Sequence, residues 1–538
     1  MKKIITYSIL LFTISFCYGQ SDSKLVAEKE NFLIKGTIKN YENQTLYLYR
    51  CYGDSLLIVD TMNTGKNGEF DFPSIYHGKR LLTGMYKISL PNNQFFYIIY
   101  DKQFVEIKTL YQPNNYYNIA FDSIMVLSST SASHGAEINK HFYEYQSIQQ
   151  KLNIAGFYLL EMMRTYPFYD PFHKKIEDEY IARYTNMENF MKNPSVAVNK
   201  DKQKESSKKQ QSNQSLITDN KIPNIARKID SAYFIPIFPD WKQSDPWRDS
   251  VVALHYFDYF NPADSFFLQT NILPEKIDLY IILSTNKRDE KNELIKDETL
   301  VTKAAQAFLE KVKSNNENFL FCLRYILAKL DKEKHYTSLL TIYERYVKTE
   351  DSNCNPSSPQ FDWIRKKADI LKHIQIDSVA PDFNITSVDS NSSKKVIGND
   401  TLKMHNLQSD YTLLVFWATW CPHCTQALPE IKKLSDEFNV KGDSKKTSNV
   451  KVAEKLITVA ISLDSDSAQW RKFIADNNLS SFMNTSELKG WKGEVPIQYN
   501  VYATPTILLL DKDKKIIYQT FDVKELSQKL DEIKKKLK

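Results

Sequence analysis

The chain has 538 residues, of which 42% are hydrophobic, 13% aromatic and 25% charged. This is an ordinary globular mixture, which excludes collagen-like, coiled-coil and wholly disordered classes; at about 100–200 residues per domain the length predicts three or four domains. A count of 71 Lys+Arg against 65 Asp+Glu leaves a formal charge of +6, too little to argue for nucleic acid or a strongly anionic surface as partner.

Met1-Lys2-Lys3 is a basic start, Ile4 to Phe16 is mostly apolar, and Cys17-Tyr18-Gly19-Gln20 follows. This pattern reads as a secretory leader over 1–19. The apolar run is shorter than the about 20 residues a bilayer needs. Cleavage after Gly19 is one expectation; lipidation of Cys17 is the other, though Phe16 and Ile14 fit it poorly. Either way the expected location is exported, in the periplasm or cell envelope, where disulfides persist. Without the leader five cysteines remain, Cys51, Cys322, Cys354, Cys421 and Cys424. That is no disulfide scaffold. Cys322, inside Phe319-Leu320-Phe321-Cys322-Leu323, reads as a buried thiol.

Residues 30–125 read as an all-β domain, a small sandwich or barrel. Strand-like runs at 45–49, 56–61, 69–72, 85–90, 95–100 and 104–110 are punctuated by Asn67-Gly68, Gly84 and Pro91-Asn92-Asn93. From 130 to 374 the period changes to helical. Ile138, Phe142, Tyr145 and Leu152 share a face, and further helical patterns cover 300–312, 319–330 and 339–347. The aromatic run Tyr256–Phe260 reads as packing between helices. The stretch 196–222 is dominated by polar and charged residues and reads as a disordered insertion.

Residues 376–538 read as an α/β domain of order β-α-β-α-β-β-α. Thr412–Trp417, Leu456–Leu463, Thr506–Leu510 and Ile516–Gln519 are its strands. Its helices bury Leu428, Ile431, Leu434 and Phe438, then Trp470, Phe473 and Ile474, and finally Leu526, Leu530, Ile533 and Leu537. Cys421-Pro422-His423-Cys424 falls at the turn from the first strand into the first helix. A helix N-terminus presents unpaired N–H groups and partial positive charge, which lowers the pKa of Cys421 below the ordinary thiol value. Pro422 suits the first helical turn. His423 favours the thiolate further if it is protonated or donates a hydrogen bond; the alternative is an exposed loop histidine of little influence. Cys424, one turn on, can close a disulfide with Cys421. The chemistry this spacing points to is thiol–disulfide exchange, with Cys421 attacking and Cys424 resolving.

The run Phe416-Trp417-Ala418-Thr419-Trp420-Cys421-Pro422-His423-Cys424 resembles the active-site signature of thioredoxin-fold proteins. With Ala380-Pro381-Asp382-Phe383 upstream, residues 376–538 are similar to exported TlpA/ResA-like thiol–disulfide oxidoreductases, and Ala503-Thr504-Pro505-Thr506 matches the cis-proline loop of that family. The resemblance implies that Pro505 is cis and faces the cysteine pair, that the Thr504 backbone binds the substrate segment, and that Trp420 and His423 flank the thiolate. It implies partners that are envelope proteins bearing disulfides or thiols, with a membrane electron donor or acceptor, and no cofactor or metal. The region before 376 resembles the N-terminal extension of many TlpA-like envelope proteins.

Two departures matter. Thioredoxin has a buried Asp where this chain has Val415, and ResA-like proteins have a Glu where it has Ala427, so neither carboxylate is present to accept the Cys424 proton. The Pro422-His423 dipeptide is also that of DsbA, a strong oxidant. The TlpA-like context favours a reductase; a disulfide donor is the alternative. A thiol peroxidase lacks the proline it needs before Cys421. A structural zinc site needs four ligands, and the sequence holds no second Cys-x-x-Cys. A merely structural bridge, or an envelope-binding scaffold with an accessory redox domain, complete the alternatives.

Overall fold

The computed structural model describes residues 33–73, 75–76, 79–114, 123–127, 134–166, 169–192, 224–235, 245–287, 295, 297–348, 359–385, 402–439 and 455–536. The leader at 1–19 with Cys17, the insertion read at 196–222, Cys354 and Leu537 lie outside the described residues. The chain is multidomain, with N-terminal sheets, a helical middle and a C-terminal α/β domain. It divides into two units whose boundary in the chain falls between Phe234 and Ile235.

In the first unit, β1 (Leu33–Lys39), β2 (Thr45–Tyr52), β3 (Ser55–Asn63) and β4 (Glu69–Pro73) are followed by the short β5 (Ile75–Tyr76) and β6 (Lys79–Arg80). Then come β7 (Gly84–Ser89), β8 (Phe95–Tyr100), β9 (Val105–Leu110) and β10 (Met125–Leu127). Two four-stranded sheets result, ordered β10-β9-β1-β4 and β3-β2-β7-β8. Alternation decides what each buries: Ile34, Ile38, Phe70, Phe72, Val105 and Ile107 from one sheet, Leu46, Leu48, Tyr86, Ile88, Phe96 and Ile98 from the other. Phe70 meets Phe96 across the two sheets, ring centres 6.5 Å apart. The helix α1 (His134–Thr165) closes one sheet edge. Its buried Asn139 side chain bonds both the N–H and the C=O of Ile99, each at 2.8 Å, satisfying backbone groups that an edge strand leaves open. α1 then packs against α2 (Pro171–Lys192) and α3 (Asn224–Tyr233), and the face expected at Ile138, Phe142, Tyr145 and Leu152 is buried.

The second unit begins with α4 (Asp245–Leu254), α5 (Ile272–Thr285), α6 (Glu298–Val312), α7 (Asn316–Glu333), α8 (Tyr336–Tyr346) and α9 (Asp362–His373). Side-chain caps start two of them. Asp297 accepts from the Thr299 and Leu300 N–H groups, and Asn315 from those of Glu317 and Asn318. The aromatic run at 256–260 packs between helices: Tyr256 and Phe257 lie 5.2 and 4.9 Å from Tyr280, and Phe257 lies 5.5 Å from Phe308. Cys322, as expected, is buried.

The C-terminal domain opens with β11 (Asn384–Ile385) and β12 (Leu402–Lys403). It continues as β13 (Tyr411–Trp417), α10 (Pro422–Asn439), β14 (Leu456–Ser462), α11 (Ser467–Asp476), β15 (Met483–Ser486), α12 (Glu494–Gln498), β16 (Thr506–Leu510), β17 (Ile516–Thr520) and α13 (Val523–Lys536). The sheet order is β15-β14-β13-β16-β17, with β13, β14 and β15 parallel and β16 and β17 antiparallel. The sequence order lacked β15 and α12. β15 is a four-residue edge strand of polar composition, held by pairing with β14 rather than by its own propensity.

Candidate active site

β13 is the middle strand of the sheet, and every residue from Thr412 to Trp417 is buried. Its last turn ends at Trp417, where the Trp417 carbonyl accepts from the Leu463 N–H at 2.7 Å. The Cys421 N–H then bonds the Ala418 carbonyl at 3.2 Å, and the Cys421 carbonyl accepts from the Cys424 and Thr425 N–H groups at 3.0 and 3.1 Å. Cys421 thus stands at the N-cap of α10, Pro422 at the first helical position and Cys424 at the third. The N-cap side chain receives N–H groups of the first turn, and here the acceptor is sulfur: the Cys424 N–H reaches Cys421 Sγ at 3.3 Å. Proline at the first position forfeits no helical hydrogen bond.

The Cys424 thiol donates to Cys421 Sγ, with 2.6 Å between the sulfurs, and Cys421 Sγ lies 3.3 Å from the Thr504 carbonyl. The Thr504–Pro505 bond is cis. Burial opposes a charge on Cys421, but the Cys424 thiol, the Thr504 hydroxyl and the N–H groups of Cys424 and His423 outweigh it, so its pKa is lowered. Burial and the facing Cys421 sulfur push Cys424 up to about 12. One sulfur is therefore poised as the anion and the other as its proton donor.

The remaining residues of the sequence-read site are placed as follows. His423 is exposed and contributes its backbone N–H; its imidazole makes no hydrogen bond among the described residues. Trp420 is 54% exposed and packs against Trp491, ring centres 6.1 Å apart. Val415 and Ala427 are buried, so apolar groups occupy both positions where the resemblance led to the expectation of an acid. Behind the cis-proline loop, Phe383 and Phe416 pack on Tyr499 at 5.9 and 5.2 Å, and the Tyr499 hydroxyl donates to the Pro381 carbonyl. The Ala380–Phe383 segment thereby braces the loop.

The sequence reading missed two residues. Asp464, 2% exposed, follows the end of β14. Its carboxylate accepts from the Thr419 N–H at 3.1 and 3.2 Å, from the Thr419 hydroxyl at 2.6 Å and from the Ser462 hydroxyl at 2.7 Å. It fixes the turn two residues before the nucleophile. The available signal was position, since sites in open α/β sheets gather at the carboxyl ends of strands. Trp491 is the other, and no spacing marked it.

These thiols predict an order of alkylation. Burial pushes Cys51 up to about 12 and Cys322 above its ordinary value. Iodoacetamide should therefore modify Cys421 before Cys51, Cys322 and Cys424 in the reduced chain. The rate should climb with pH as the thiolate forms and reach half its plateau at a lower pH than an ordinary thiol does. Peptide mass mapping across a pH series reads this; equal labelling of Cys421 and Cys424 would contradict it.

Fold and site define a thiol–disulfide oxidoreductase on a thioredoxin-like scaffold. The family model described as thioredoxin-like matches residues 409–516. A thioredoxin-like protein, YneN of Bacillus subtilis (strain 168), is 31% identical over 165 residues, spanning 29% of this chain and 80% of that relative. The chain belongs to the thioredoxin-like family. A thiol-disulfide oxidoreductase, ResA of Bacillus thuringiensis subsp. konkukian (strain 97-27), is 26% identical over 164 residues, 30% of this chain and 79% of the relative. A solved thioredoxin-like protein from Bacteroides caccae ATCC 43185 shares 18% identity and covers 55% of this chain and 97% of its own, with a TM-score of 0.34.

Proposed function

We propose that this chain is an exported protein-disulfide reductase of ResA/TlpA type acting on envelope proteins, with Cys421 as nucleophile and Cys424 as resolving thiol. The observation that carries the reading is the asymmetry of the pair: Cys421 is held below its ordinary pKa while Cys424 is pushed up to about 12. The Cys421 thiolate attacks one sulfur of a substrate disulfide. The Cys421–substrate bond forms, the substrate S–S bond breaks, and the departing thiolate takes up a proton. Cys424 then attacks Cys421 Sγ, closing the Cys421–Cys424 disulfide and releasing the second substrate thiol. Two electrons pass from the dithiol to the substrate. With no carboxylate at 415 or 427, the departing substrate thiolate is the group placed to take the Cys424 proton. Thr504 and Pro505 line the groove, and an extended substrate segment lies along the Thr504 backbone.

The direction rests on how the thiolate is held. Its stabilisers are the helix N–H groups, the Cys424 thiol and Thr504. The exposed His423 ring adds no hydrogen bond, so the strong stabilisation of the reduced form that makes an oxidant lacks its imidazole contribution. A membrane electron donor would return the pair to the dithiol.

Trapping tests the mechanism. In Cys424→Ala the first step proceeds and the second cannot, so incubation with insulin should yield a mixed disulfide through Cys421, cleaved by dithiothreitol. No adduct, or an adduct at another cysteine, would overturn the assignment.

A further inference from the structure

Residues 245–373 take no part in the chemistry above, yet their side chains reach the segment that leads into the cis-proline. Tyr502 stands two residues before Thr504, so their backbones are within about 7 Å. The turn between α7 and α8 lies against it. The Lys334 ammonium is 4.6 Å from the centre of the Tyr502 ring, and the Tyr336 ring meets the same ring edge-on at 6.3 Å. Two residues further back, Asn500 accepts from Lys367 Nζ at 2.7 Å, and Lys367 also pairs with Asp331 at 2.8 Å. On its other side Tyr502 packs against Phe521 at 5.6 Å.

Lys334 occupies a place that sequence economy would give to glycine. It ends α7 in the left-handed conformation, φ 66°, where glycine or asparagine is least strained. Its neighbouring carboxylates are committed, Asp331 to Lys367 and Glu333 to Lys329. Lys334 itself is exposed and makes no ion pair among the described residues. An uncompensated positive charge thus stands over an exposed aromatic ring beside the backbone that lines the groove.

We propose that the helical segment builds one wall of the substrate groove, with Lys334 and Tyr502 as a specificity-determining pair. The preferred substrates are disulfide-bearing polypeptide segments that carry acidic and apolar side chains near the reacting cysteine. The inference rests on the exchange reaction proposed above. The carboxylate meets the ammonium while the apolar side chain lies against the Tyr502 and Phe521 rings.

The test uses the full chain and two peptides with one intramolecular disulfide, identical except for Glu or Lys two residues either side of the reacting cysteine. The uncharged 2-hydroxyethyl disulfide serves as reference. An exposed ion pair is worth up to about a fivefold preference, so kcat/KM should favour the Glu peptide by about that factor, expressed in KM. Lys334→Glu should invert the preference, and Lys334→Gly, which relieves the backbone at φ 66°, should abolish it, each read as the ratio of the two peptides' kcat/KM on the same variant after normalising to the reference disulfide. Equal rates on the two peptides, or a preference that survives both substitutions, would overturn this inference and leave the exchange reading standing. Failure of the unaltered chain to reduce any of the three would overturn both.

Discussion

Cys421→Ser is expected to lower the disulfide-reduction rate by about a thousandfold or more, since a serine hydroxyl is essentially un-ionised at neutral pH and cannot form the mixed disulfide. That factor corresponds to about 4 kcal/mol of transition-state stabilisation. The fold should survive, because oxygen at the N-cap still accepts the Cys424 N–H and serine is a favoured N-cap residue. Cys424→Ser should behave differently. It keeps the attacking sulfur but removes the resolving one, so turnover stops after the first step and adducts accumulate on Cys421. Steady-state insulin reduction together with single-turnover adduct formation separates the two variants. A Cys421→Ser chain that retains a tenth of the rate would place the chemistry elsewhere.

Asp464→Ala is expected to cost about 3 kcal/mol of stability, the scale for leaving buried donors without a charged acceptor. The Thr419 N–H, the Thr419 hydroxyl and the Ser462 hydroxyl all lose the same carboxylate. The released turn spans Ala418–Trp420, directly before the N-cap, so the Cys421 sulfur should drift from the N–H groups that hold its pKa down. Under conditions where the variant remains folded, the pH at which alkylation of Cys421 is half-maximal should therefore rise. Because the folded pKa of Cys421 is depressed, its stabilising contribution is present above the unfolded thiol value and lost as pH falls through the folded one. The variant should lose part of that contribution. Urea unfolding combined with the alkylation profile checks both; an unaltered midpoint would show that Asp464 does not hold the turn.

The legible parts of this molecule are those where one segment carries its own signal. The alternation in β1, β4 and β9 and the helical spacing of Ile138, Phe142 and Tyr145 were readable because each face is buried by a single core. The cysteine pair and Thr504-Pro505 were readable from the family signature, and α10 runs on through Pro429 to Asn439 as the spacing of Leu428, Ile431 and Phe438 required. What escaped depends on partners distant in sequence. Asp464 acquires its role from Thr419, 45 residues away, and a lone Asp after a strand has no spacing to announce it. β15 exists through its pairing with β14. The contacts of Lys334 and Lys367 with Tyr502 and Asn500 join segments over a hundred residues apart, and nothing in either segment marks them.

The proposed role of the Cys421–Cys424 pair as a reductant is tested most directly by its reduction potential. Equilibration of the full chain against glutathione buffers should give a value near thioredoxin's, about −270 mV. A value near that of DsbA, about −120 mV, would make the chain a disulfide donor and contradict the account.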